Sequence, residues 1–248
     1  MNIAAKTDVG LVRSSNQDGF QAGLLNDGTV AWAVVCDGMG GASGGNIASQ
    51  TALESMVEDI QNNFRTDMSA NSLMLLLKTA VFNANTKVYE KAKGNPALSG
   101  MGTTVVAAIL RDESLYLAHV GDSRAYLINS DKIRQVTKDH SVVQNMIEQG
   151  RLSEKQARSH PDKNIITRAL GVEDKVDVDY TELDLEPGDR LLLCTDGLTN
   201  MVEDKEIFSL FRKHTGDSLA EELIGQANLN GGNDNSTVVI IDQEPIVE

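Results

Sequence analysis

Proline is scarce in this 248-residue chain, at 4 residues, and so are cysteine, at 2, and histidine, at 4. Two cysteines cannot staple a small disulfide scaffold. Cys36 and Cys194 each fall inside an apolar run, where they read as small buried hydrophobes in a reducing compartment. The expected location is the cytoplasm. No basic segment leads into an apolar stretch at the N-terminus, and no apolar run reaches the ~18 residues of a bilayer crossing, so neither export nor a membrane span is expected. Basic residues are in deficit too: 22 Lys and Arg face 36 Asp and Glu, a net charge of −14. A body this acidic repels a phosphate backbone, which argues against nonspecific nucleic-acid binding.

Glycine, at 21, and apolar residues, at 41%, are plentiful, and the length suffices to bury a sizeable core. With no low-complexity linker and no repeat period, the chain reads as one domain over 1–248. Apolar, β-branched runs predict strands at 29–36, 103–110, 115–120, 125–128, 190–195 and 237–241. Leu53, Met56, Val57, Ile60 and Phe64 recur at helical spacing, as do Leu73, Leu76, Leu77, Ala80, Val81, Ala84 and Val88. Two further helices are expected at about 203–213 and 218–228. Strands in runs and helices in pairs favour an α+β architecture, antiparallel sheets covered by helix pairs, over a doubly wound parallel sheet. The polar stretch 139–171, with Pro161, reads as a small flap on the main body or as a plain surface insertion.

Three apolar strands finish in acid, at Asp37-Gly38, Gly121-Asp122 and Asp196-Gly197, and Asp18 and Asp234 occupy similar positions. Any single Asp-Gly pair is explained by a turn. If five such carboxylates meet in one cleft, their repulsion raises their pKa values or destabilises the fold unless cations neutralise them. The donors are all oxygen, which suits Mg²⁺ or Mn²⁺ rather than zinc or copper. Gly after Asp37 lets a backbone carbonyl approach an ion. Arg13, five residues before Asp18, offers a planar fork for a phosphate, although a lone Arg in a polar segment is ordinarily a solvated charge.

These residues resemble the PP2C-type metal-dependent protein serine/threonine phosphatases, in particular the compact bacterial members. The likeness runs in order along nearly the whole chain: R-x-x-N-Q-D at 13–18, D-G-M-G-G at 37–41, G-T-T at 102–104, G-D-S-R at 121–124, I-T-R-x-L-G at 166–171, T-D-G-L at 195–198 and D-N at 234–235. Each block alone is weak, and seven in sequence are specific. The resemblance implies a β-sandwich of two antiparallel sheets flanked by helix pairs, with a metal cleft at one end. It implies that Asp37 bridges two Mn²⁺ or Mg²⁺ ions, that Asp196 and Asp234 complete the first, and that Asp18 and the Gly38 carbonyl serve the second, partly through water. It also implies that Arg13 holds substrate phosphate and that a third, weaker ion lies between Asp122 and Asp196.

The implied reaction is hydrolysis of phosphoserine and phosphothreonine by a metal-activated water, with no covalent enzyme intermediate. The implied partners are phosphorylated proteins, namely a bacterial serine/threonine kinase and its substrates, with the phosphatase itself a monomer. Two histidines usual in relatives are absent: Met39 follows Asp-Gly where many animal members have His, and Ala42 stands where many bacterial members have one. Water is therefore expected to protonate the leaving group. His119 reads as a packed core imidazole, and His140 and His160 as solvated flap residues. The glycines around Met39 lack the Lys-Ser/Thr of a nucleotide loop, and neither cysteine has an Arg six residues on. The run 177–181 imitates an aspartyl-phosphate motif but follows no buried strand, so a solvated strand or turn is expected there. The chief alternative is a catalytically silent relative that binds phosphoproteins as a regulatory module; loss of a metal carboxylate would mark it, and none is lost.

Overall fold

The computed structural model describes residues 1–186 and 188–243, with the backbone alone at 42 and 43. Strands β1 (Asn2–Asp8), β2 (Asp18–Leu25) and β3 (Val30–Met39) precede helices α1 (Gly41–Asn63) and α2 (Ala70–Gly94). A run of strands follows: β4 (Gly102–Thr103), β5 (Val105–Arg111), β6 (Ser114–Val120), β7 (Arg124–Ile128) and β8 (Ile133–Gln135). After the short helices α3 (Val142–Glu148) and α4 (Glu154–Ala157) come β9 (Asp179–Asp184) and β10 (Arg190–Cys194). Helices α5 (Asp196–Thr199), α6 (Asp204–Phe211) and α7 (Gly216–Leu229) lead to β11 (Ser236–Asp242).

Two antiparallel sheets result, in the orders β1-β11-β10-β7-β8 and β2-β3-β5-β6-β9, with β4 pairing β3. The period of two along each strand divides its side chains between two cores. Val30, Trp32, Val34 and Cys36 of β3 pack under α1 and α2, whereas Ala31, Ala33 and Val35 point between the sheets. Likewise Leu192 and Cys194 of β10 meet α6 and α7, and Leu191 and Leu193 fill the interior. Central strands are thus covered on both faces, which is why they read as unbroken apolar runs. The layers are helices, sheet, sheet, helices, the α-β-β-α sandwich expected.

The unpredicted strands β1, β2, β8 and β9 are the four edges of the two sheets. Edge strands keep one flank toward solvent and carry polar residues such as Asp179, Glu182 and Asp184 in β9, so the apolar signal is absent. Helix α1 also begins earlier than its apolar repeat, at Gly41, and takes the glycine run into its first turn. There Gly40 has φ +124°, and a Cβ would stand 2.6 Å from the Met101 backbone; at Gly38 it would stand 2.0 Å from the Gly45 carbonyl oxygen. The glycines let the helix press against the end of β3.

Segment 139–171 is tied down at both ends. Ser141 bridges Ile166 and Thr103 bridges Leu170, and the Thr167 N–H donates to the His140 carbonyl at 2.8 Å. Ser153 and Gln156 form a reciprocal cap at the start of α4.

Candidate active site

Strand register brings the distant acids to one end of the sandwich. Asp18 opens β2 directly opposite Asp37 near the end of β3. Cys194 at the end of β10 pairs with Val238 on one side and Arg124 on the other. Asp196, Asp234 just before β11, and Asp122 in the β6–β7 turn therefore share that end. A cleft of about 500 Å³ opens there, lined by Arg13, Asp37, Gly38, Asp122, Asp196 and Asp234, with Asn164 and Ile166 of segment 139–171 on its wall. Asp18 stands behind this surface, 6% exposed.

Hydroxyls and amides fix the acids. The Thr195 and Thr237 hydroxyls donate to Asp18 Oδ2 at 2.8 and 2.7 Å, and its Oδ1 is buried without a partner. The Asp37 N–H donates to Thr104 Oγ1 at 3.0 Å, and its carbonyl accepts from the Thr104 N–H and the Thr103 hydroxyl, each at 2.9 Å. Asn200 Nδ2 donates to Asp196 Oδ2 at 2.9 Å. Arg13 Nη2 meets Asp234 Oδ2 at 2.8 Å with 55% of its side chain exposed.

Asn235 organises the rim. Its Oδ1 accepts from the Gln17 N–H at 2.8 Å, and its Nδ2 donates to the Val9 and Ser15 carbonyls at 2.9 and 3.0 Å. That side chain holds the β1–β2 loop that carries Arg13. The sequence marked Asn235 only as a neighbour of Asp234; its signal was the position after the acid, and nothing local reveals the 218 residues that separate it from Gln17. Thr104, Thr195 and Thr237 were missed as supports for the same reason.

The electrostatics follow from this crowding. Burial pushes Asp18 up to about 7, against the pull of its two threonine hydroxyls, compared with about 4 for an unperturbed Asp. Burial, with repulsion from Asp234, pushes Asp196 up to about 6. Asp37 and Asp122 lie well above the usual carboxylate range, through burial first and neighbouring acids second. The orphan Oδ1 of Asp18, the glycine cradle at Gly38 and the all-oxygen donor set fit hard divalent cations. Among the described residues no three His, Cys, Asp or Glu side chains close on one point as a finished cage. The acids instead form a wall, as suits ions that each take one or two carboxylates and keep several waters.

Among the described residues no histidine lines the cleft; the side chain of Ala42 lies outside them. His119 is buried at 2% exposure, a packed imidazole. His140 is not solvated as expected: it is 6% exposed because its ring turns inward beneath the Gly121-Asp122 turn. His160 is half-buried, with Nδ1 3.9 Å from Asp162 Oδ2. The 177–181 run falls at the start of edge strand β9.

A cleft walled by buried and half-buried acids at the end of an α-β-β-α sandwich, with an exposed guanidinium beside them, has the form of a metal-dependent phosphoryl hydrolase. Residues 12–230 match the protein phosphatase 2C family, to which the chain belongs. The serine/threonine phosphatase stp of Listeria innocua is 38% identical over 245 residues, covering 98% of this chain and 96% of its own. The solved structure of Stp1 from Staphylococcus aureus superposes with a TM-score of 0.91 at 34% identity, covering 98% of this chain and 95% of that one. The catalytic domain of the phosphatase PstP, solved with two manganese ions, gives 0.84 at 34% identity, with 96% of each chain covered. The chain is accordingly a protein serine/threonine phosphatase of the metal-dependent class.

Proposed function

We propose that this cleft hydrolyses phosphoserine and phosphothreonine in proteins with a pair of Mn²⁺ or Mg²⁺ ions. Asp37, Asp196 and Asp234 would hold one ion, and Asp37, Asp18 and the Gly38 carbonyl the other, in part through water. Asp122 and Asp196 offer a third, weaker position. When bound, the ions neutralise the acids, polarise the phosphoryl oxygens and lower the pKa of a water that attacks phosphorus. The observation that carries this reading is that four segments of chain bring Asp37, Asp122, Asp196 and Asp234 to one wall with Asp18 behind it, and that crowding and burial raise the pKa of Asp37 and Asp122, a penalty that bound cations offset.

The protein groups position. Arg13 spans the rim, and its pairing with Asp234 is largely exposed, worth little in water. A substrate phosphate replaces that carboxylate with a bidentate contact at small expense. Asn235 keeps the Arg13 loop in place, and the Thr104 bonds hold the Asp37 backbone. With Met39 at the cleft and no histidine lining it among the described residues, the leaving alkoxide takes its proton from water.

We include in this reading a single catalytic domain with 139–171 as its flap, phosphoproteins of a bacterial serine/threonine kinase as substrates, and a cytoplasmic monomer. Among the described residues no helix is long and apolar enough to cross a membrane. The test is turnover of p-nitrophenyl phosphate and of a phosphothreonine peptide with Mn²⁺ and with a chelator. Activity is expected only with the ion, and Arg13→Ala is expected to raise KM about tenfold. Full activity in chelator, or a steep acidic limb assigned to a histidine, defeats the proposal.

A further inference from the structure

The β6–β7 turn carries Asp122 into the cleft, and its hinge is Gly121. This residue has φ +109°, and a Cβ there would stand 2.5 Å from Thr104 Cγ2, so the turn lies directly on the threonine that holds Asp37. On its other side the turn is gripped by a single flap residue. The His140 N–H donates to the Gly121 carbonyl at 2.7 Å, and His140 Nδ1 accepts from the Gly121 N–H at 3.1 Å.

A neutral imidazole has one acceptor nitrogen and one donor. With Nδ1 accepting, Nε2 carries the proton and faces two groups, Asp179 Oδ2 at 3.2 Å on β9 and Arg168 Nη1 at 3.1 Å, of which only the carboxylate can accept it. Arg168 Nη1 reaches the other oxygen of Asp179 at 2.9 Å. The Gly121 N–H requires an unprotonated Nδ1; burial lowers the pKa of His140, and the Arg168 cation works in the same direction against the pull of Asp179. The ring of His119 lies against it, centroids 4.7 Å apart, and closes the space beneath.

We propose that His140 is a positioning residue for the reaction, clamping both polar groups of Gly121 so that the flap sets where the Asp122 carboxylate stands in the cleft. The chain of contacts is continuous: Asp179, itself held by Arg168, accepts the Nε2 proton, the imidazole fixes the Gly121 peptide, and the next residue is Asp122. An outer partner that fixes the orientation of a ligand-bearing group matters about as much as the ligand's own geometry. A displaced flap thereby alters the cleft without touching any acid. This rests on the reading of Asp122 as a cleft acid that serves a cation.

The test compares His140→Ala, which removes the side-chain acceptor, with His140→Asn, whose amide oxygen stands where Nδ1 was. In chelated protein, amide exchange at Gly121 is expected to quicken by at least about tenfold in His140→Ala and to stay near wild type in His140→Asn. With Mn²⁺ loaded, kcat for p-nitrophenyl phosphate is expected to fall several-fold in the alanine protein, by no more than in Asp122→Ala and at nearly constant KM, and to recover toward wild type in the asparagine protein. Asp179→Ala, on an exposed edge, is expected to quicken Gly121 exchange as well and keeps the question open to measurement should His140→Ala not fold. Wild-type exchange at Gly121 in His140→Ala or in Asp179→Ala overturns the clamp, as does an asparagine protein as impaired as the alanine one. Absence of turnover in wild type with Mn²⁺ would instead sink the reading of the cleft, while the exchange rates still decide the role of His140.

Discussion

The interior between the two sheets and the cleft at their end are built from the same strands, yet they are opposites in energy. Leu191 and Leu193 of β10 are closed in by apolar neighbours and gain from every contact. Three residues beyond Leu193, Asp196 is pushed up to about 6, and Asp18 to about 7, because burial and like charge work against them. The contrast teaches that the sandwich holds its acids in place by core packing, at a loss of stability that the bound cations recover.

The sharpest way to break this contrast is Asp37→Ala. Turnover is expected to fall by at least about a thousandfold, ~4 kcal/mol of barrier, with Mn²⁺ in excess. The melting temperature in chelator should hold or rise, since a repelling buried acid is gone. A chelated variant melting well below wild type would show that the acid stabilises the fold, and the contrast would fail. Leu193→Ala probes the other side, with an expected loss of about 3 kcal/mol of stability in denaturant titration and unchanged kcat at temperatures where it is folded. Asp122→Ala should slow turnover several-fold while calorimetry still detects the paired ions; loss of both ions would show that Asp122 belongs to their main ligand set.

The gentlest probe is pH. In chelator, folded Asp18 keeps its proton up to about 7, whereas in the unfolded chain it loses it near an ordinary carboxylate value. The folded state thus binds more protons between those values, and this contribution is complete at the acid side and lost as pH rises through about 7. The melting temperature without metal should fall between pH 5 and 8 by about a few degrees. Asp18→Asn should flatten that slope, and Mn²⁺ should restore stability at the alkaline end. A slope unchanged in Asp18→Asn assigns the effect to other groups.

The central strands were legible because both faces of each are covered and their sequence is apolar throughout. The edges β1, β2, β8 and β9 were not, because an edge reads as a mixed polar segment until its partner is known. The acids of the cleft were visible as strand-terminal aspartates, and their order along the chain matched a family. Their supports were not: Thr237 reaches Asp18 across 219 positions, and Asn235 reaches Gln17 across 218. His140 was misjudged because a polar neighbourhood in sequence says nothing about which side chain turns inward.

By itself the order of residues settled the kind of chemistry available here, since five carboxylates without a histidine or cysteine among them admit only hard cations, and the apolar runs settled that the strands lie in a covered sandwich. Folding in three dimensions decided the rest: which acid faces the cleft and which stands behind it, which threonines and which imidazole hold the turns, and how far each carboxyl is driven from its ordinary titration. Those outcomes depend on distances between groups remote in the chain, and a pattern read along one dimension carries no such distances.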